Sequence, residues 1–519
     1  MNRWILLLCA AFLLPVQAAT FRLETDGQPL LKAWCDGLLA HQVKEGVDRG
    51  GFLCPAVKQV PGRSADAVYP LLALYRMTGE EKYRQAALDV FDWSERRISQ
   101  SDGSWVNEVN VPWKGITAFS LIALGEALRH DGDSLTPAER ERWKARLRKG
   151  ADFLLGYMTF ETGDINYPLS SSASLALAAK VLGDDKYLPR AREFAHFGQR
   201  HLTANGLLWG EGERGPNDIS PRGLRAIDVP YNVEESLPNL ALYSDLTGDK
   251  EIEDFVVAGF QSHLDFLLPD GAWDAGWSGR QYKWSYWGSR TCDGAAHGLQ
   301  MLRARDPRFA GAAARNLQLL KSCTHDGLLY GGPGLHARGL PASIQHTIFH
   351  AKSLAAALDA GSTKSEAVVL PTDNANGLRE WSEAGVVQFA RGGWRGSVTV
   401  NDIPQTKKRG GQPSGGALSL LWHQKTGPLC VASMNDYVRY EGLNMQTPAT
   451  PASPLALNSA PMARSSQTFT SVPRRWNPAT ATVRLRSKSE ARYAINPVHR
   501  PRPLWRSRVS IGSRKARSR

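Results

Sequence analysis

Along this chain, apolar stretches with helical spacing end again and again at a glycine, and acids with a lysine follow at once. The three clearest copies are Leu72–Tyr83, Leu175–Tyr187 and Leu240–Ile252. Each reads as a helix stopped at Gly79, Gly183 or Gly248, because glycine takes the left-handed conformation there without a Cβ penalty. The acids that follow favour the positive end of a new helix. The repeated unit is therefore a helical hairpin. Repeated hairpins predict a stacked or closed array whose chemistry sits in the loops at one rim.

The same spacing predicts helices at Leu30–Gln42, Gly115–Arg129, Thr136–Tyr157, Asp293–Arg303, Gly311–Ser322 and Ile344–Ala360, with Thr136 as N-cap and Pro137 in the first turn. This amounts to five to six hairpins between about residues 25 and 362. After Gly361 the period shortens to two. Gly385–Ala390, Gly396–Val400, Ala417–Gln424 and Pro428–Met434 read as antiparallel strands separated by glycine-rich turns. The expected fold class is α+β: an (α/α) toroid over residues 20–365, then an antiparallel β-sandwich over residues 366–446. The strand–helix alternation of a doubly wound sheet is not present in the pattern.

The two ends alter this picture. Residues 1–19 have the charge, apolar core and small-residue cleavage site of a secretory signal, which predicts a periplasmic or secreted protein. No other run reaches the ~20 apolar residues of a membrane span. The formal net charge of +13 is concentrated in residues 447–519, where fifteen Lys or Arg face one acid, Glu490. This basic, Pro- and Ser-rich tail reads as an out-of-frame translation beginning near Gln446, which would leave the sandwich truncated. A solvated arm that touches anions is the other reading. Nucleic acid is not an expected partner, since no recognised module is present. Beyond the leader the cysteines are Cys35, Cys54, Cys292, Cys323 and Cys430. An oxidising compartment makes Cys35–Cys54 and Cys292–Cys323 the first pairs to consider, with buried free thiols as the alternative.

Candidate chemistry gathers in the long loops. Residues 271–294 carry Trp273, Trp277, Tyr282, Trp284, Tyr286 and Trp287 interleaved with Arg280, Lys283 and Arg290. Aromatic faces suit sugar rings, and an arginine fork suits a carboxylate, so this segment fits a cleft for an acidic glycan. Core packing is the plain alternative. The connection at residues 209–235 holds Trp209, Glu211, Tyr231, Asn232, Glu234 and Glu235 and is too long for a hairpin turn. Asn232 also reads as a helix cap and Tyr231 as a staple residue. At residues 330–352, His336 precedes His346 and His350, which share a helix face. That spacing permits a metal pair, but no carboxylate completes it, so neither a metal nor another cofactor is expected. His346 at the helix mouth is the better acid/base group, and His350 and His297 read as structural. In the fourth loop, residues 105–114, Trp105, Asn110 and Trp113 form a weaker platform.

The hairpins ending in Thr-Gly-Asp/Glu, the Tyr231–Asn232 junction, the loop at 284–294, the segment at 346–352 and the stretch at 433–446 resemble the heparinase II/III-like polysaccharide lyases. The resemblance spans about residues 25–446 and implies a helical toroid with a β-sandwich that grips an acidic polysaccharide and cleaves it by β-elimination. By that resemblance Arg290 and Asn232 neutralise the uronate carboxylate and His346 is neutraliser or base. Tyr286 or Tyr231 is the base or acid phenol. Trp209, Glu234, Trp277, Tyr282, Trp284, Trp287, His336 and Trp113 line the substrate. A toroid glycoside hydrolase using paired carboxylates among Glu211, Glu213, Asp228, Glu234, Asp274 and Asp293 is the second reading. A non-catalytic glycan-binding protein is the third.

Overall fold

The computed structural model describes residues 21–109, 111, 113–212, 218–280, 283–289, 291–361, 368–402, 415–432, 438–439 and 446–447. The leader, the basic tail from residue 448, Arg290, Tyr282, Asn110, Glu213 and most of residues 433–446 lie outside them, and with them the expectations placed there.

Among the described residues thirteen helices build the first body: α1 (Gln28–Ala40), α2 (Val68–Thr78), α3 (Glu81–Arg97), α4 (Thr117–Asp131), α5 (Pro137–Tyr157), α6 (Asn166–Leu182) and α7 (Leu188–Phe197) come first. A single turn, α8 (Val229–Tyr231), leads into α9 (Leu237–Thr247). Then follow α10 (Lys250–His263), α11 (Ala296–Met301), α12 (Pro307–Ser322) and α13 (Ile344–Asp359). Helices α2, α4, α6, α9, α11 and α13 pack in that order around a ring, and α13 closes it against α2. Each has an outer partner: α3, α5, α7, α10 and α12 follow their inner helices, and α1, from the start of the chain, covers α13. The toroid therefore has six hairpins, one of them made from the two ends of the domain.

The sequence signals act where they were expected. Gly79, Gly183 and Gly248 each end an inner helix with φ of 72°, 61° and 74°. Thr136 and Glu139 form a reciprocal capping box at the start of α5. Inner helices are buried on nearly every side, and small residues let them approach. Gly125 of α4 lies against Leu177 of α6, so close that a Cβ would stand 2.5 Å from Leu177 Cδ2. Ser171 Oγ and Ser174 Oγ of α6 donate back within the helix, to Tyr167 O and Ser170 O, and Ser170 Oγ accepts Asn239 Nδ2 of the inner helix beside it. No described helix is long and apolar enough to cross a membrane. The described cysteines are all free thiols, and neither Cys35–Cys54 nor Cys292–Cys323 is formed. Cys35, Cys54, Cys292 and Cys323 are all buried, as the alternative reading had it.

Inner helices hand over to outer ones through short turns such as 79–80 and 248–249. The return connections are long: 41–67, 98–116, 158–165, 198–228, 264–295 and 323–343. All long loops must then emerge at the end where the inner helices begin. Two short hairpins, β1 (Trp284–Ser285) with β2 (Gly288–Ser289) and β3 (Thr324–His325) with β4 (Leu328–Leu329), stiffen this rim.

The second body is an antiparallel sheet in the order β5 (Gly377–Trp381), β6 (Val386–Arg391), β7 (Trp394–Thr399), β8 (Ala417–His423) and β9 (Gly427–Val431). Four of these were legible as strands; β5, largely exposed, was not. The sheet docks on the long-loop rim through polar groups. Asp270 Oδ2 accepts from Tyr286 OH at 2.5 Å and from Trp422 Nε1 of β8 at 2.8 Å. Asp274 Oδ1 accepts from Ser397 Oγ of β7 at 2.9 Å, and Asn401 Nδ2 donates to Trp277 O at 3.0 Å. Glu383 accepts from Ala204 N and Asn205 Nδ2.

Burial pushes the Asp274 carboxyl up to about 6, from 3.8 in the unfolded chain. A raised carboxyl stabilises the fold fully only below its unfolded value, and that contribution is lost as pH rises through about 6. Asp274→Asn is expected to flatten the decline in melting temperature between pH 4 and pH 6, measured by thermal unfolding across that window.

Candidate active site

Before α9 the chain makes a π turn, Asn232–Ser236, closed by Leu237 N on Asn232 O. Pro238 offers no N–H at this point, and the wider turn swings consecutive acids inward. Asp228 caps the preceding turn by accepting Tyr231 N, and its other oxygen accepts Arg280 N at 2.7 Å. Tyr231 is held from two sides. Lys283 Nζ donates to its hydroxyl at 2.8 Å, and Thr291 Oγ1 meets the same hydroxyl in a short contact. The Arg280 guanidinium lies 4.5 Å from the ring centroid. A phenol flanked by two cations is electrostatically prepared to lose its proton. Burial works against this and pushes the Tyr231 phenol well above its ordinary value, as do the nearby Cys292 and Glu235.

Carboxyl groups surround this phenol. Glu211 takes Asn166 N at 2.7 Å and Glu235 takes Asn166 Nδ2 at 2.6 Å. Burial, reinforced by Asp293, raises Glu235 above the ordinary carboxylate range. Glu211 is raised by burial and by Glu235. Beneath them lies a closed set of four charges: Arg63, Asp66, Asp293 and Lys352, all buried.

The loop at 283–294 connects this cluster to α13. Trp287 stacks edge-on with His346, ring centroids 5.7 Å apart, and with His350 at 4.4 Å. Tyr286 N donates to Gly331 O and Trp287 Nε1 to Tyr330 O. The three loops chosen from the sequence therefore meet at one rim. His346 is half-buried there, whereas His350, with its Nδ1 on His346 O, is buried and lowered to about 4 by desolvation.

Several sequence expectations need correction. Trp277 and Trp287 are wholly buried, Trp284 is 3% exposed and Trp209 8%, so these rings pack against protein rather than standing out as an open platform. Trp209 lies between His201 and Arg225. Trp113 gives its Nε1 to Tyr167 OH and packs edge-on against that ring. Asn232, also wholly buried, uses its amide on Leu208 O and His263, which ties the π turn to α10 and leaves no clamp for a carboxylate. Glu234 Oε2 accepts Ser289 N and its side chain fills the space over Gly288. Tyr286 belongs to the joint with the sheet. His336, exposed, stacks on His325 at 4.0 Å beside Tyr330. Sequence reasoning passed over Arg63, Asp66 and Asn166. Their signal was a charged or amide group inside otherwise apolar or small-residue helix starts. Among the described residues no group of three or more His, Cys, Asp or Glu side chains is arranged to hold a metal.

The toroid thus has six hairpins, buried acid, phenol and lysine groups at its loop rim, and a β-sheet docked on that rim. The family follows from direct comparison. Residues 31–373 match the Ulvan lyase N-terminal domain and residues 378–489 the Ulvan lyase C-terminal domain, a match that extends past Gln446. The broad-specificity ulvan lyase of Formosa agariphila is 38% identical over 447 residues, covering 84% of this chain and 69% of that protein. The chain belongs to the ulvan lyase family, and it is a polysaccharide lyase. Among solved structures, a polysaccharide lyase overlaps 64% of this chain and 96% of its own at 13% identity, TM-score 0.46. A family 76 glycoside hydrolase from a bovine Bacteroides thetaiotaomicron strain overlaps 65% and 78% at 11% identity, TM-score 0.48.

Two substitutions separate the joint from the site. Tyr286→Phe leaves Asp270 Oδ2 with Trp422 alone and is expected to lower the melting temperature while turnover persists, read by thermal unfolding beside an activity assay. Gly288→Ala would put a Cβ 1.8 Å from Glu234 Oε1. It is expected to displace the β1–β2 turn and to lower both stability and turnover.

Proposed function

We propose that this protein cleaves ulvan or a closely related uronate glycan by β-elimination, in a periplasmic or extracellular setting, with Tyr231 as the reacting phenol. The observation that carries the reading is the Lys283 ammonium donating to the Tyr231 hydroxyl at 2.8 Å inside a buried, acid-rich rim. The substrate is proposed from the name of the Formosa agariphila relative. The setting is proposed from the leader-like residues 1–19.

The C5 proton of a uronate is weakly acidic because its loss places charge on the carboxylate. Preorganised donors that take up this charge supply the largest single contribution to such reactions. A positioned base adds about 10²–10⁴-fold. In the proposed scheme Tyr231, ionised with help from Lys283 and Arg280, takes the C5 proton. The C–H electrons form the C4=C5 bond as the C4–O4 bond breaks, and a proton passes to the departing oxygen. His346, half-buried at the mouth of α13, is assigned to neutralise the carboxylate or to return that proton. Arg290, adjacent in sequence to Thr291, is assigned as a carboxylate clamp. This division of labour follows the logic of the heparinase II/III-like lyases, with Tyr231 in place of Tyr286.

A panel of uronate glycans, ulvan included, is digested and followed for ultraviolet absorbance of the conjugated C4=C5 product. Tyr231→Phe is expected to reduce that signal by about 10²–10⁴-fold with the fold intact. His346→Ala is expected to lower it as well. New reducing ends without absorbance would identify hydrolysis, and native turnover in Tyr231→Phe would remove the assignment.

A further inference from the structure

Beneath the rim, Arg63 Nη2 donates to Asp66 Oδ2 at 2.5 Å and to Asp293 Oδ1 at 2.6 Å. Lys352 Nζ donates to Asp66 Oδ2 at 3.1 Å and to Asp293 Oδ2 at 2.8 Å. Both carboxylates thus bridge both cations, and none of the four side chains is more than 5% exposed. The Arg63 guanidinium lies between the rings of Phe119, 4.7 Å away, and Phe349, 4.0 Å away. Asp66 also accepts Ser120 Oγ of α4 at 2.9 Å. One small square of charge therefore joins the turn before α2, helix α4, the loop before α11 and helix α13.

Such a square is an inefficient way to gain stability, since well-packed apolar side chains of the same volume serve as well or better. What it supplies is direction, because each oxygen has a fixed partner. The chain around Asp293 shows what is being directed. Two residues earlier Thr291 Oγ1 meets the Tyr231 hydroxyl. One residue later Gly294, at φ 94°, packs on His350 and Ser353 of α13. The segment 291–294 is a lever fixed at Asp293, with the reacting phenol at one end and the histidine helix at the other.

We propose that the Arg63–Asp66–Asp293–Lys352 square is a positioning device that holds Thr291 against Tyr231 and thereby aims the phenol at the substrate. The inference rests on Tyr231 being the reacting group. The square itself touches no substrate. Its Asp293 and Lys352 face, on the far side, a cavity of about 250 Å³ at the short-turn end of the toroid. The groups facing Glu235 beside the phenol are Asn166 from α6, Arg63 from the turn before α2, Asp293 and Lys283 from the loop, and Glu211 from the 198–228 connection.

The test is the double variant Asp293→Asn with Lys352→Met in the full chain, which removes one charge of each sign and leaves Arg63 paired with Asp66. It is expected to fold, to bind ulvan with a KM close to native, and to lose about 100-fold in kcat, the scale of a small misplacement at a reacting centre. Thr291→Val removes the far end of the lever and is expected to lose kcat to a similar degree. Combining all three changes should cost little more than either alone, because residues acting through one path are not additive. Native kcat in the folded double variant overturns the inference, as does a combined loss equal to the product of the separate losses. If the double variant does not fold, native kcat in Thr291→Val overturns it. Tyr231→Phe is assayed alongside. Full activity there removes the base assignment itself, whereas loss there with native kcat in the lever variants removes only this inference.

Discussion

Short turns at one end of the hairpins constrain everything else in this molecule. A two-residue link such as 79–80 or 248–249 leaves little room for function, so the long connections gather at the opposite rim. Six long connections then crowd onto one circular face, and their side chains meet whether or not they are near in sequence. The turns can be short because glycine accepts the left-handed conformation at Gly79, Gly183 and Gly248. A backbone preference at three residues thus helps to decide where the chemistry of a 519-residue chain is gathered.

The rim obtains order from polar ties more than from apolar packing. Asp270, Asp274 and Glu383 fix the sheet above it, Asp228 and Glu211 fix the turns around Tyr231, and the charge square fixes the lever below. Buried charges and carboxyls are costly to desolvate, so their concentration here marks the place where geometry matters most. The tryptophans have the complementary task. Trp277, Trp284 and Trp287 fill the space between loop and helix, and by doing so hold the backbone that carries Lys283 and Thr291.

Helix and strand patterning was legible because period and turn chemistry are local properties. The three glycine stops, the Thr136 cap and four of the five strands of the sheet stand where the pattern put them. The meeting of the 209–235, 271–294 and 330–352 loops was also legible, since loop length and composition marked each one. The duty of single residues was not. An aromatic cluster looks the same in sequence whether its rings face sugar or core, and burial decided for core. Tyr286 and Tyr231 both read as candidate phenols, with Tyr286 first; in the fold Tyr286 bonds Asp270 at the joint and Tyr231 bonds Lys283. Arg63 and Asp293 are 230 residues apart, and only ring closure makes them partners. Pairing of the cysteines failed for the same reason, because spacing along the chain says nothing of distance across a toroid.

The central claim is that a uronate sits with its C5 hydrogen facing Tyr231 at the long-loop rim. The most direct measurement is a crystal structure of the Tyr231→Phe protein holding an uncleaved ulvan oligosaccharide. The account predicts a uronate ring whose C5 points at residue 231, with Lys283 and His346 beside its carboxylate and leaving oxygen. A glycan seated elsewhere on the toroid, or with C5 turned away from residue 231, would contradict it.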